Sequence, residues 1–120
     1  MAEDQGESSR ALNDGVEWIA RRRAEIGERL AEVEQRLASV RVARSEWTDE
    51  EHDPEGFALT FEWQQAEGVR AGYHAELLQL DAATTRIDDE TYGICAVCAG
   101  PIPREQLELR PARTTCVTCS

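Results

Sequence analysis

The sequence predicts a mainly α protein: a long antiparallel two-helix coiled-coil hairpin followed by a small four-cysteine module. Three observations predict it. Apolar residues recur in heptads over residues 12–47. A second periodic stretch follows after a short, acidic connection, Thr48 to Asp53. All four cysteines stand in two Cys-x2-Cys pairs near the end of the chain.

The first helix carries Leu12, Val16, Ile19, Ile26, Leu30, Val33, Leu37, Val40 and Trp47. These positions trace a heptad seam, with Arg23 and Arg44 in the two skipped slots. Good helix formers lie between them: Glu, Arg, Ala and Gln. The expected start lies between Ser9 and Asp14, which leaves residues 1–11 as a flexible N-terminus. Gly15 and Gly27 are expected to weaken the helix locally.

The second helix carries Leu59, Trp63, Ala66, Val69, Tyr73, Leu77, Leu80, Thr84 and Ile87. Asp53-Pro54 marks its start, because Asp caps free amides and Pro suits the first turn. Gly93 is the expected stop. So short a connection makes the helices antiparallel neighbours. The fold-back that places both seams together sets Val16 against Ile87, Ile19 against Thr84, Ile26 against Leu77 and Leu30 against Tyr73. It also sets Leu37 against Ala66 and Val40 against Trp63. Arg23 then faces Leu80 and Arg44 faces Leu59, with their stems packed and their charges in water. Val33 would face Arg70, one step out of register. This hairpin predicts a monomer, the alternative being a parallel dimer of long helices. Trp18, Trp47 and Trp63 are read as packing residues.

Composition narrows the functional classes. The chain has 120 residues, a net charge of -11 and 6% aromatics, which suits a thin core and excludes a large enzyme with a deep pocket. Net acidity argues against nonspecific nucleic-acid binding and against docking on an anionic membrane. Residues 48–56 hold five acidic residues and no basic ones, so the acidity is centred on the connection. The start is acidic and has no apolar stretch of the kind a secretory signal needs, so a cytoplasmic location is expected. All 13 basic residues are arginine, which we read as the base composition of a high-GC bacterial genome. No catalytic constellation or phosphate-cradling loop is present, so no enzyme is expected.

The cysteine module is the most specific signal. Cys95-Ala96-Val97-Cys98 and Cys116-Val117-Thr118-Cys119 are two knuckles separated by 17 residues. Each knuckle can aim two sulfurs at one ion, so the pattern predicts a tetrahedral, structural Zn²⁺ site through Cys95, Cys98, Cys116 and Cys119. Two disulfides are the alternative, which a reducing compartment disfavours. Four thiolates fill the shell and leave no open position for water or substrate. With one Zn²⁺ they sum to a charge of about -2, which Arg104, Arg110 and Arg113 can offset unless they are ordinary surface charge. The segment 91–120 has too few large apolar groups to fold without metal. Ala99 follows the second cysteine, where a knuckle favours left-handed backbone, so it is expected to cost about 1 kcal/mol relative to glycine or to shift the turn.

Thr91-Tyr92-Gly93-Ile94-Cys95 through Cys98, then Pro101-Ile102-Pro103, Leu107, Arg110-Pro111 and Cys116 through Cys119 resemble the DksA/TraR family of four-cysteine zinc-finger proteins. The likeness runs from about residue 12 to the end, and the tip resembles that of actinobacterial members. It implies a helical hairpin over 12–90 with an acidic tip at 48–56, then a zinc finger over 91–120. It further implies a bacterial transcription regulator that binds RNA polymerase through its secondary channel without contacting promoter DNA. The tip carboxylates, Asp49, Glu50, Glu51, Asp53 and Glu55, would approach the catalytic magnesium, and guanosine tetraphosphate is the implied co-effector. Two other readings stay open. The tip carboxylates also suit a solvated loop and a helix start. The whole chain also suits a zinc-stabilised coiled-coil adaptor or assembly protein unrelated to transcription.

Overall fold

The computed structural model describes the backbone of residues 2–46 and 54–120, and side chains from 10 to 46 and from 58 to 120. It contains α1 (Ala2–Glu46), α2 (Pro54–Asp88) and α3 (Arg104–Leu109). Among the described residues the only strand-like pairing is an isolated antiparallel bridge between Ile94 and Pro101. The protein is therefore mainly helical, and α1 and α2 form an antiparallel hairpin.

Two helix boundaries differ from expectation. α1 begins at Ala2, so residues 2–11 belong to the helix rather than to a separate flexible segment. α2 begins at Pro54, as its sequence predicts. It ends before Gly93, however. The Thr91 N–H donates to the Arg86 carbonyl at 2.8 Å and the Glu90 N–H to the Ile87 carbonyl at 3.1 Å. This is a Schellman closure, with Glu90 in the left-handed position at φ 63°. Gly93, at φ 84°, serves a turn within the finger instead.

The molecule comprises two compact units, Met1–Ala24 with Glu76–Ser120, and Glu25–Ala75. In the second, Val33, Leu37 and Ala66 form a buried cluster against which Trp63 and Tyr73 pack. Leu37 and Ala66 thus meet as the fold-back requires. Val33, expected one step out of register, is buried all the same. Its expected neighbour Arg70 turns outward, to Glu34 at 3.4 Å and Glu67 at 3.2 Å. Val69, assigned to the seam, is exposed. Arg41 and Arg44 lie over the Trp63 ring, 5.7 and 5.9 Å from its centre. Their cations face the aromatic π cloud, so Arg44 has a more specific partner than the apolar stem contact expected for it.

The other unit departs further from a simple seam. Ile19 and Leu80 are buried, but Val16 is exposed and its neighbours Gly15 and Trp18 are buried instead. On α2, Ala83 is buried and Thr84 exposed, so the seam steps back one residue there. The Thr84 hydroxyl donates to the Leu80 carbonyl at 3.0 Å and accepts from Arg23 at 3.1 Å. Arg23 also pairs with Asp81 at 2.8 Å. Arg22 grips Glu76 with two bonds, 2.6 and 2.9 Å, and this donation holds the Glu76 carboxyl below its ordinary value. Among the described residues no helix is long and apolar enough to cross a membrane. Trp47, and Asp49, Glu50, Glu51 and Asp53 of the tip, lie outside the described residues. Glu55 stands in the first turn of α2, and its side chain is also outside the described set.

Candidate metal centre

The finger begins where α2 closes. After the Schellman turn, Tyr92 is buried against α1 at Gly15. A Cβ built on Gly15 would stand 2.5 Å from Cε1 of the Tyr92 ring, so only glycine admits the ring there. The Ile102 N–H donates to the Gly93 carbonyl and the Cys95 N–H to the Gly100 carbonyl, both at 2.8 Å. These bonds close a tight ribbon around the first knuckle. α3 follows from Pro103, whose carbonyl accepts from the N–H groups of Gln106 and Leu107. Leu107 and Ile102 are buried and form the apolar floor of the finger with Tyr92. The Ala96 N–H donates to the Thr114 carbonyl at 2.8 Å, which draws the second knuckle beside the first.

These elements bring Cys95, Cys98, Cys116 and Cys119 together, with their sulfurs all within 4.8 Å of one another. Cys98 and Cys116 sulfurs are 3.9 Å apart. Tetrahedral coordination with Zn–S bonds of about 2.3 Å requires sulfurs about 3.8 Å apart, so the set fits one Zn²⁺ with little adjustment. Ala99 has φ 62°, the left-handed knuckle position its place in the sequence predicts. Its N–H donates to the Cys95 carbonyl at 2.9 Å, and in the second knuckle the Cys119 N–H donates to the Cys116 carbonyl at 3.0 Å.

The sulfurs are not equivalent. Cys95 is buried, and the N–H groups of Val97 and Cys116 each point at its sulfur from 3.4 Å. Backbone donation, from Cys98 first and then from Cys116, outweighs burial and lowers the thiol to about 6. Cys119 is raised to about 12, because Cys116 and Cys95 hydrogen-bond to it and burial acts in the same direction. Cys95, Cys98, Cys116 and Cys119 would hold a divalent ion as thiolates, so binding would release the protons they carry. The protein's cofactor is thus one structural Zn²⁺.

The three arginines between the knuckles divide their work. Arg113 donates to the Thr115 carbonyl at 2.6 Å and to the Ser120 hydroxyl at 3.2 Å, bracing the second knuckle. Arg104 is turned away, to an ion pair with Asp14 and a position 5.2 Å from the centre of the Trp18 ring. Arg110 is exposed. Three contributors escape the sequence pattern. Gln106 accepts from the Val117 N–H at 3.0 Å, Arg86 donates to the Ala112 carbonyl at 3.2 Å, and Gly15 admits Tyr92. The sequence signals α3 through Pro103 followed by helix formers, but nothing in it marks the partners of Gln106 or Arg86.

Fold and site together define a helical hairpin bearing a C-terminal four-cysteine zinc finger. Among solved structures the chain matches transcription factor DksA2 from Pseudomonas aeruginosa, with a TM-score of 0.72 and 19% identity, over 91% of this chain and 79% of that one. The fold is therefore the DksA type that the finger motif implies. No protein-family model matches the sequence. No curated protein matches it either.

Proposed function

We propose that the chain is a bacterial, cytoplasmic transcription regulator that acts by binding RNA polymerase as a monomer. The observation that carries this reading is the match of hairpin and finger together to a transcription factor over 91% of the chain. In this reading the zinc finger braces the base of the helical hairpin, and the acidic tip enters the secondary channel. Asp49, Glu50, Glu51, Asp53 and Glu55 then act near the catalytic magnesium, where hard oxygen ligands compete for or reposition the metal. Guanosine tetraphosphate is the proposed co-effector. The protein acts by contact with the enzyme and performs no chemistry of its own.

The test is a combined tip variant, Asp49→Ala, Glu50→Ala, Glu51→Ala and Asp53→Asn, the last chosen to keep a helix cap while removing charge. It is expected to fold and to bind purified polymerase, yet to lose most of its effect on initiation in vitro. Regulation equal to wild type by the folded variant overturns the role of the tip. Failure of the wild-type protein to bind polymerase overturns the whole reading in favour of a coiled-coil adaptor.

A further inference from the structure

One face of the Glu25–Ala75 unit carries a groove along the edge of the seam. A cavity of about 530 Å³ is lined by Val33, Arg36, Gln64, Gln65, Gly68 and Val69, with Ala66 at its floor. A second, of about 160 Å³, shares Val33, Arg36 and Val69 with it and extends to Arg29 and Tyr73. The two form one continuous trough. Its floor is apolar, and Val69 is 48% exposed there although its helix has a buried seam close by.

Two further observations give the trough a polarity and a shape. Arg29 and Arg36 stand on its α1 rim, two helical turns or about 10.5 Å apart. Neither makes a hydrogen bond or ion pair among the described residues, whereas Arg70 on the facing helix has two carboxylate partners. Glu32 lies between them, so the rim keeps a net positive charge in a chain of net charge -11. Gly68 lines the α2 side, and a Cβ there would meet nothing within 4 Å. Glycine weakens a helix interior, and no contact within the chain calls for it at this position. Its missing side chain leaves room for another backbone to approach.

We propose that this trough docks an acidic amphipathic helix of another protein. The helix carries two carboxylates seven residues apart, which meet Arg29 and Arg36, and aliphatic residues between them, which cover Val69. Charge complementarity selects this occupant: an anionic helix is attracted by the two unpaired arginines, whereas a basic one is repelled by them and finds a single rim carboxylate, Glu32. The proposal stands apart from polymerase binding and survives or fails without it.

The full-length zinc-loaded chain is titrated into a labelled, capped helical peptide with Glu at the two positions and Leu between them, and binding is followed by fluorescence anisotropy. Saturable binding is expected, weakened at least tenfold by Arg29→Glu with Arg36→Glu, and weakened similarly when the peptide's two Glu are replaced by Gln. Gly68→Leu should also weaken binding while the thermal midpoint holds or rises, which separates a filled groove from a damaged fold. Absence of binding, or equal binding by the charge-reversed variant, overturns the proposal. Self-association of the wild-type chain in sedimentation, lost in the same charge-reversed variant, would assign the trough to a second copy and also overturn it.

Discussion

The unit Glu25–Ala75 and the unit that joins Met1–Ala24 to Glu76–Ser120 are stabilised by different rules. In the first, the described core is built from residues of α1 and α2. Heptad spacing therefore selects most of the buried residues: Val33, Leu37 and Ala66 are found where periodicity puts them, and Val69 is the exception. In the second, α1 has two partners, α2 and the finger. Its buried face widens to include Gly15 and Trp18, while the heptad residue Val16 is left in solvent. The lesson is that a heptad pattern describes a two-body contact. A third body re-selects the face.

The largest effect expected is from the metal. Chelation, or Cys95→Ser, should unfold residues 91–120, because Tyr92, Ile102 and Leu107 are too small a core to persist alone. Because Tyr92 lies on Gly15 and Arg104 on Asp14 and Trp18, hydrogen exchange should also accelerate across residues 12–22 of α1. Exchange across 33–40 should change little. Equal acceleration in both stretches would dissolve the distinction between the units.

The next effect is specific to the seam. Leu37 is 2% exposed, and Leu37→Ala should lower stability in urea by about 3 kcal/mol through lost burial and the cavity left behind. Zinc stoichiometry should stay at one per chain. Loss of zinc in this variant would show that the two units fold as one.

Gly15→Ala probes the other unit. The new methyl collides with the Tyr92 ring, so stability should fall by about 1–3 kcal/mol although alanine is the better helix former. Paired with Tyr92→Leu, the loss should be less than additive. An additive result would mean that the ring and the glycine do not communicate.

Ala99→Gly is the smallest effect and has the opposite sign. Releasing the strain of a side chain at φ 62° should stabilise the finger by about 0.5–1 kcal/mol and slow zinc loss to a chelator. An unchanged chelation rate would place the strain elsewhere.

Several features were legible from residue order alone. The heptads announce two helices, Asp53-Pro54 announces the start of the second, and the short connection forces them antiparallel. The paired knuckles announce the four sulfurs and the left-handed position of Ala99. These signals are local: they depend on spacing within a helix or a turn, which the chain carries with it wherever it goes.

What only the tertiary structure decided is long-range. Gly15 reads in sequence as a weak point in a helix, yet it is the socket for a ring 77 positions later in the chain. Glu90, not Gly93, takes the left-handed position that ends α2, and Tyr92 follows two residues later to meet that socket. Arg104 sits near thiolates in sequence and turns to Asp14 and Trp18 in space. Periodicity fixes which residues share a face, but the partner that covers the face depends on where the rest of the chain returns. That return is set by packing and by the metal site, neither of which is written in any one stretch of residues.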